Sequence, residues 1–101
     1  MTTDQFHASV HAATPPPAMP PLLEALWHDA HGDWHAAHAI AQRLDGDDAA
    51  WLHAYLHRKE GDAGNAAWWY RRAGRAPASC TLDAEWQQLA AAFTTARPAV
   101  G

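Results

Sequence analysis

The sequence predicts an all-α fold: a five-helix bundle of two αα-hairpins closed by a C-terminal capping helix. Three observations predict it. Alanine is abundant while β-branched residues are scarce, with one Ile and two Val, a balance that favours helix over strand. Apolar residues recur at spacings of three and four in five separate stretches. Gly-Asp, Asp-Gly and Gly-to-Pro signals separate those stretches, and such signals stop and restart helices. At 101 residues one domain is expected. Cys80 is the single cysteine, so no disulfide within the chain can brace it, and a lone thiol suits a reducing compartment. The core must come from side chains. Six Trp, two Tyr and two Phe supply it efficiently, at about 150–250 Å² buried per aromatic.

Residues 1–19 show no sustained apolar period and end in the Pro-rich TPPPAMPP. Prolines 15 to 17 favour polyproline II, so this segment is expected to be a mobile arm, with at most a short helix near Phe6. The helical domain is expected over 20–97, with a frayed tail over 98–101. The first domain helix should span Pro21 to His31, with Leu22, Leu23, Leu26, Trp27 and Ala30 on one arc and Gly32 as its stop. The second should span Trp34 to Leu44, with Asp33 as N-cap and Trp34, Ala37, Ile40, Ala41 and Leu44 facing inward. The third should span Asp48 to Glu60. Its acids at the start and His57, Arg58 and Lys59 at the end complement the helix dipole. Trp51, Leu52, Tyr55 and Leu56 form its apolar arc, with His53 and His57 opposite. The fourth should span Ala63 to Ala73, capped by Asp62, and its apolar arc leaves Trp68 outside. The fifth should span Leu82 to Ala96, where Leu82, Trp86, Leu89, Phe93 and Ala96 give the clearest period in the chain.

Gly32-Asp33 and Gly61-Asp62 lie 29 residues apart. At that offset His28 matches His57, Ala37 matches Ala66 and Arg43 matches Arg72. Each copy reads helix, Gly-Asp turn, helix. In the second copy Gly61, Ala66, Tyr70, Ala73 and Pro77 echo a small, aromatic, small, proline pattern. On those residues it resembles a degenerate tetratricopeptide repeat over about 25 residues. Its period is shorter than that family's 34, and Trp51 sits one residue close to the turn. The resemblance implies a protein-interaction scaffold. The stretch HAYLHRKEGD and the end NAAWWYRRAG are also similar to a small uncharacterised bacterial family with a HAYLHRKEGD…YWYRRAG core, for which no activity is known.

Net charge is −4 and the signs are segregated. Residues 1–50 carry −6, and residues 51–101 carry +2. An acidic chain is a poor general nucleic-acid binder. No apolar run approaches the ~20 residues of a membrane span. The start MTTDQFHASV lacks the pattern of a signal peptide, so a cytoplasmic location is expected.

No motif spells a reaction. Trp68 with Arg71 and Arg72 one turn away suits a cation–π cluster. Arg58 and Lys59 end the preceding helix, so four bases are expected to gather around one indole. That surface would take a protein or a small acidic ligand, a second copy of the acidic half among them. The histidines suggest a different use. His53 and His57 are four apart and can reach one ion, and His28, His31, His35 and His38 surround the Gly32 turn. A metal site needs three or four converging ligands, and only His53 and His57 converge by spacing. Neither a metal nor a cofactor is therefore expected. His53-Ala-Tyr-Leu-His57 also lacks the glutamate of a metalloprotease helix. Cys80, ahead of a helix, has no positioned base in the sequence. The reading is a non-enzymatic interaction or ligand-binding module. The alternative is a small metal- or anion-dependent enzyme using the histidine cluster.

Overall fold

A computed structural model describes residues 1–94. Six helices, and no strands, occur among the described residues: α1 (Thr3–Ser9), α2 (Pro21–Ala30), α3 (Trp34–Gln42), α4 (Asp47–Lys59), α5 (Ala63–Arg72) and α6 (Leu82–Thr94). The all-α class stands. The five-helix count does not, because the N-terminal segment contributes a helix of its own. Thr2 accepts from the Gln5 backbone N–H, while the Gln5 side chain accepts from the Thr2 N–H at 2.8 Å. This reciprocal cap satisfies two otherwise orphaned donors. It starts a helix of seven residues, too short to show a period.

What holds α1 in place is burial. Phe6 is fully buried and stacks on Trp86 of α6 with ring centres 5.6 Å apart. Trp27 Nε1 donates to the Ser9 carbonyl at 2.9 Å. His31 stacks on Trp27 and reaches the Val10 carbonyl at 2.7 Å. The first ten residues of the segment expected as an arm therefore fold onto α2 and α6. Met19, within the Pro-rich stretch, is itself buried.

The remaining helices fall where the period and caps place them, shifted by one or two residues at their ends. The C-terminal end expected at Ala96 and the frayed tail lie outside the described residues. The two Gly-Asp turns are built alike. Gly32 and Gly61 hold φ of 79° and 92°, a left-handed backbone that glycine adopts without a Cβ penalty. The next amide then reaches back around the helix end, Asp33 N to His28 O and Asp62 N to His57 O, both at 2.9 Å. The Asp side chains cap the following helices through the Ala36 and Asn65 amides. One residue type stops a helix and its neighbour starts the next.

Packing is heaviest between α4 and α5 and between α2 and α3, with α3 also against α4, and α6 against α1, α2 and α4. Helix α4 is the centre. Every residue from Ala49 to His57 is buried. His53 and His57 do lie opposite the apolar arc, but α3 and α5 cover them. Four tryptophan N–H groups find backbone or carboxylate acceptors: Trp27 on Ser9, Trp34 on Leu56, Trp51 on Glu85 and Trp86 on Leu26. This is what burial of an indole requires. No described helix is long and apolar enough to cross a membrane.

Candidate functional site: an aromatic and imidazole cleft

Three helices frame an open cleft of about 890 Å³. Helix α3 contributes His38 and Gln42. Helix α4 contributes His53 and His57. The Asp62 turn and α5 contribute Asn65, Trp68 and Trp69. Each side chain reaches the cleft through helix geometry. His38 lies one turn after Trp34, and His57 one turn after His53, so each pair projects from one face. On α5, Trp68 and Trp69 are neighbours in sequence and diverge by about 100°. Trp69 turns inward onto His53, and Trp68 stays at the rim.

The cleft is lined by stacked rings. His53 lies on Trp69 with centres 4.0 Å apart, and His38 lies on Trp34 at 4.7 Å. The three imidazoles are mutual neighbours, with centres 5.1 Å apart for His38–His53, 5.2 Å for His38–His57 and 5.9 Å for His53–His57. Only His57 has a polar partner. Its Nδ1 donates to Glu60 Oε2 at 2.8 Å. The ring nitrogens of His38 and His53 have no hydrogen-bond partner among the described residues.

Burial and like charge lower the pKa values of His38 and His53. The pKa of His53 is pushed down to about 4 by desolvation first, then by His38 and His57. That of His38 is lowered by desolvation, by His57 and by His35, with Glu60 opposing. A neutral imidazole keeps one lone pair for a proton, a donor or an ion. His57, Glu60 and Asp62 can also bring three ligand atoms within 4.8 Å of one another.

Trp68 is 45 % exposed, and Met1 and Trp68 are the exposed large apolar residues among those described. The Arg72 guanidinium sits over the Trp68 ring at 5.3 Å and is 5.9 Å from the Trp69 ring. Arg71 is exposed on the same helix. The other two bases expected at this surface go elsewhere. Arg58 donates to Glu85 at 2.7 Å and also to the Cys80 carbonyl. Lys59 pairs with Asp29 at 2.9 Å. The reason is that α6 and α2 each present a buried carboxylate to α4. Glu85 is fully buried and Asp29 is 3 % exposed, and a buried carboxylate requires a cation or several donors. Trp51 and Tyr70 also donate to Glu85, and Tyr55 donates to Asp29. Both tyrosine pKa values are raised, by burial first and then by those carboxylates. The four bases therefore do not gather around one indole; Arg72 is the one placed over it.

The histidines around Gly32 also separate. His31 turns to α1, His28 lies 3.7 Å from Glu24, and His38 enters the cleft. The Cys80 thiol contacts Gln88 at 3.8 Å rather than a histidine. His38, grouped by sequence with the Gly32 histidines, belongs instead with His53 and His57. Its signal in the sequence is its place four residues after Trp34 on α3. No family model, no curated protein and no solved structure matches this chain.

Proposed function

We propose that this protein is a non-enzymatic helical binding module, and that its binding face is the cleft between α3, α4 and α5 with Trp68 at its rim. The observation that carries this reading is the exposed Trp68 ring, held under Arg72 beside a cleft floored by Trp69. An exposed aromatic stacked with an arginine is the kind of anchor that dominates interfaces. The guanidinium keeps its charge and its hydrogen-bonding edge while it lies on the ring. A carboxylate can take that edge as an aromatic or aliphatic side chain enters the cleft. The partner class is therefore an acidic peptide segment with an apolar anchor. The protein's own acidic half satisfies that description, so self-association is one form of the same interaction. The repeat-like Gly-Asp turns and the resemblance of residues 50–77 to an interaction repeat support a scaffold role.

The test is a titration of the full chain with a panel of acidic peptides carrying one aromatic residue, read by anisotropy, alongside sedimentation equilibrium of the chain alone. Either binding or self-association is expected, and Trp68→Ala with Arg72→Ala should abolish it without a change in melting temperature. If neither is observed, or if the double variant behaves as wild type, Trp68 is not a binding anchor.

A further inference from the structure

We propose that His38, His53 and His57 form a site for one divalent transition-metal ion of the zinc type, with Glu60 orienting His57. The argument begins with spacing. A zinc–nitrogen bond is about 2.0–2.1 Å, so two imidazoles sharing a tetrahedral ion hold their ring centres ~5 Å apart. The three centre-to-centre distances here are 5.1, 5.2 and 5.9 Å. Two of the three pairs thus stand at the separation that one shared ion demands, and His53–His57 is wider at 5.9 Å; the rings come from two helices in different halves of the chain.

In the structure the rings stack and cross rather than aim at one point. His53 and His57 are nearly parallel, at 9°. Turning a ring about its Cβ–Cγ bond redirects the nitrogens and leaves the ring centre in place. That torsion is broad for histidine, and the turn exchanges the stacks of His53 on Trp69 and His38 on Trp34 for bonds to the ion. His38 and His53 are the rings that turn, since their nitrogens hold no hydrogen bonds among the described residues. His57 stays, because Glu60 already grips its Nδ1 at 2.8 Å. A carboxylate on one ring nitrogen leaves the other as the lone-pair donor, the arrangement found behind metal-bound histidines. The cleft supplies an entry path and space for a fourth ligand. Imidazole donors suit zinc, copper and nickel, and a set of three leaves an open position.

A competing grouping shares His57. Its side chain lies with Glu60 and Asp62 in a cluster whose ligand atoms can meet within 4.8 Å. Both carboxylates are exposed, and that grouping would divert Glu60 from orienting the ring to ligating the ion. The two assignments separate by mutation, because one needs His38 and the other needs Asp62.

The site shares the cleft with the docking face of Trp68, but it is read by metal stoichiometry rather than by peptide binding, so the two proposals fail separately. The full chain, stripped with a chelator, is titrated with Zn²⁺ by calorimetry, and with Co²⁺ to follow the visible spectrum of a tetrahedral nitrogen site. One ion per chain is expected. His38→Ala should remove the one-to-one step, and Glu60→Ala should weaken it about 10–100-fold. Asp62→Asn, which keeps the helix cap, should leave it within a few-fold. Circular dichroism of each variant shows that the fold is retained, and a His38→Gln variant serves where alanine destabilises. The proposal is overturned by an absence of saturable binding, by several ions bound with no one-to-one step, or by a one-to-one step that survives His38→Ala and His38→Gln.

Discussion

Replacing Glu85 with alanine should destabilise the protein by about 3–5 kcal/mol, the range for removing one partner of a buried ion pair. Glu85 is fully buried and accepts from Arg58 Nη1 at 2.7 Å, Trp51 Nε1 at 3.1 Å and the Tyr70 hydroxyl at 2.5 Å. The variant leaves a three-quarters covered guanidinium with the Cys80 carbonyl as its remaining acceptor and strands two neutral donors. Each neutral donor left buried without a partner costs about 1–3 kcal/mol. The neighbouring pocket around Arg75, Cys80 and Gln88 lets water reach the gap, which holds the total within the stated range instead of the full sum. Whole-domain stability is roughly 5–15 kcal/mol, so the variant stays measurable in urea. Arg58→Met removes the cation and leaves the carboxylate its two neutral donors. The double variant Glu85→Ala with Arg58→Met should be more stable than the sum of the single losses by about 1–3 kcal/mol. Equilibrium unfolding with an unchanged slope against urea is the assay. A loss under about 1 kcal/mol for Glu85→Ala, or strictly additive single variants, would refute the view that this carboxylate joins α4, α5 and α6.

Phe6→Ala should cost about 3–5 kcal/mol, as for other large-to-small core changes, and a Tm unchanged from wild type would show that α1 does not dock on Trp86. Gly61→Val should destabilise more than Asp62→Ala, whose lost cap is worth about 0.5–2 kcal/mol, because valine resists the φ of 92° found there; a neutral Gly61→Val would mean the turn lies elsewhere. Acid should weaken the metal-free protein through His53. Unfolded, His53 titrates near its ordinary value, and folded it titrates near 4, so the unfolded chain binds the extra proton between those limits. Stability should therefore fall by about 1–3 kcal/mol as pH drops from about 6.5 to about 4. His38, His57 and Trp69 lie against the ring, and His53→Gln isolates its share: an equal slope in that variant would remove His53 as the cause.

Much of the fold was legible because helices are local. The recurrence of Leu82, Trp86, Leu89 and Phe93 announced α6, and the paired Gly-Asp turns announced the stops and caps of four others. The exposure of Trp68 was legible too, since a helical projection alone puts it off the apolar arc. Helix α1 was harder. Thr2 and Gln5 spell its cap, but seven residues carry no period, and its stability comes from Trp27 and Trp86, far along the chain. The partners of Arg58 and Lys59 were not legible at all. Spacing says which residues share a helix face, and it does not say which carboxylate another helix brings opposite. Glu85 lies in the first turn of α6 and Asp29 in the last turn of α2, where charges are ordinary, and only packing makes them buried acceptors. The grouping of His38 with His53 and His57 was not legible for the same reason: His38 and His53 meet only once α3 folds against α4.

The most direct test of the cleft as binding face is chemical-shift mapping of the isotope-labelled full chain during titration with an acidic peptide carrying one aromatic residue. The expected result is a saturable set of shifts at His38, His53, His57, Trp68, Trp69 and Arg72, with α1 and α6 undisturbed. Shifts centred instead on the Asp29, Tyr55 and Lys59 pocket, or no shifts at any peptide concentration, would contradict it.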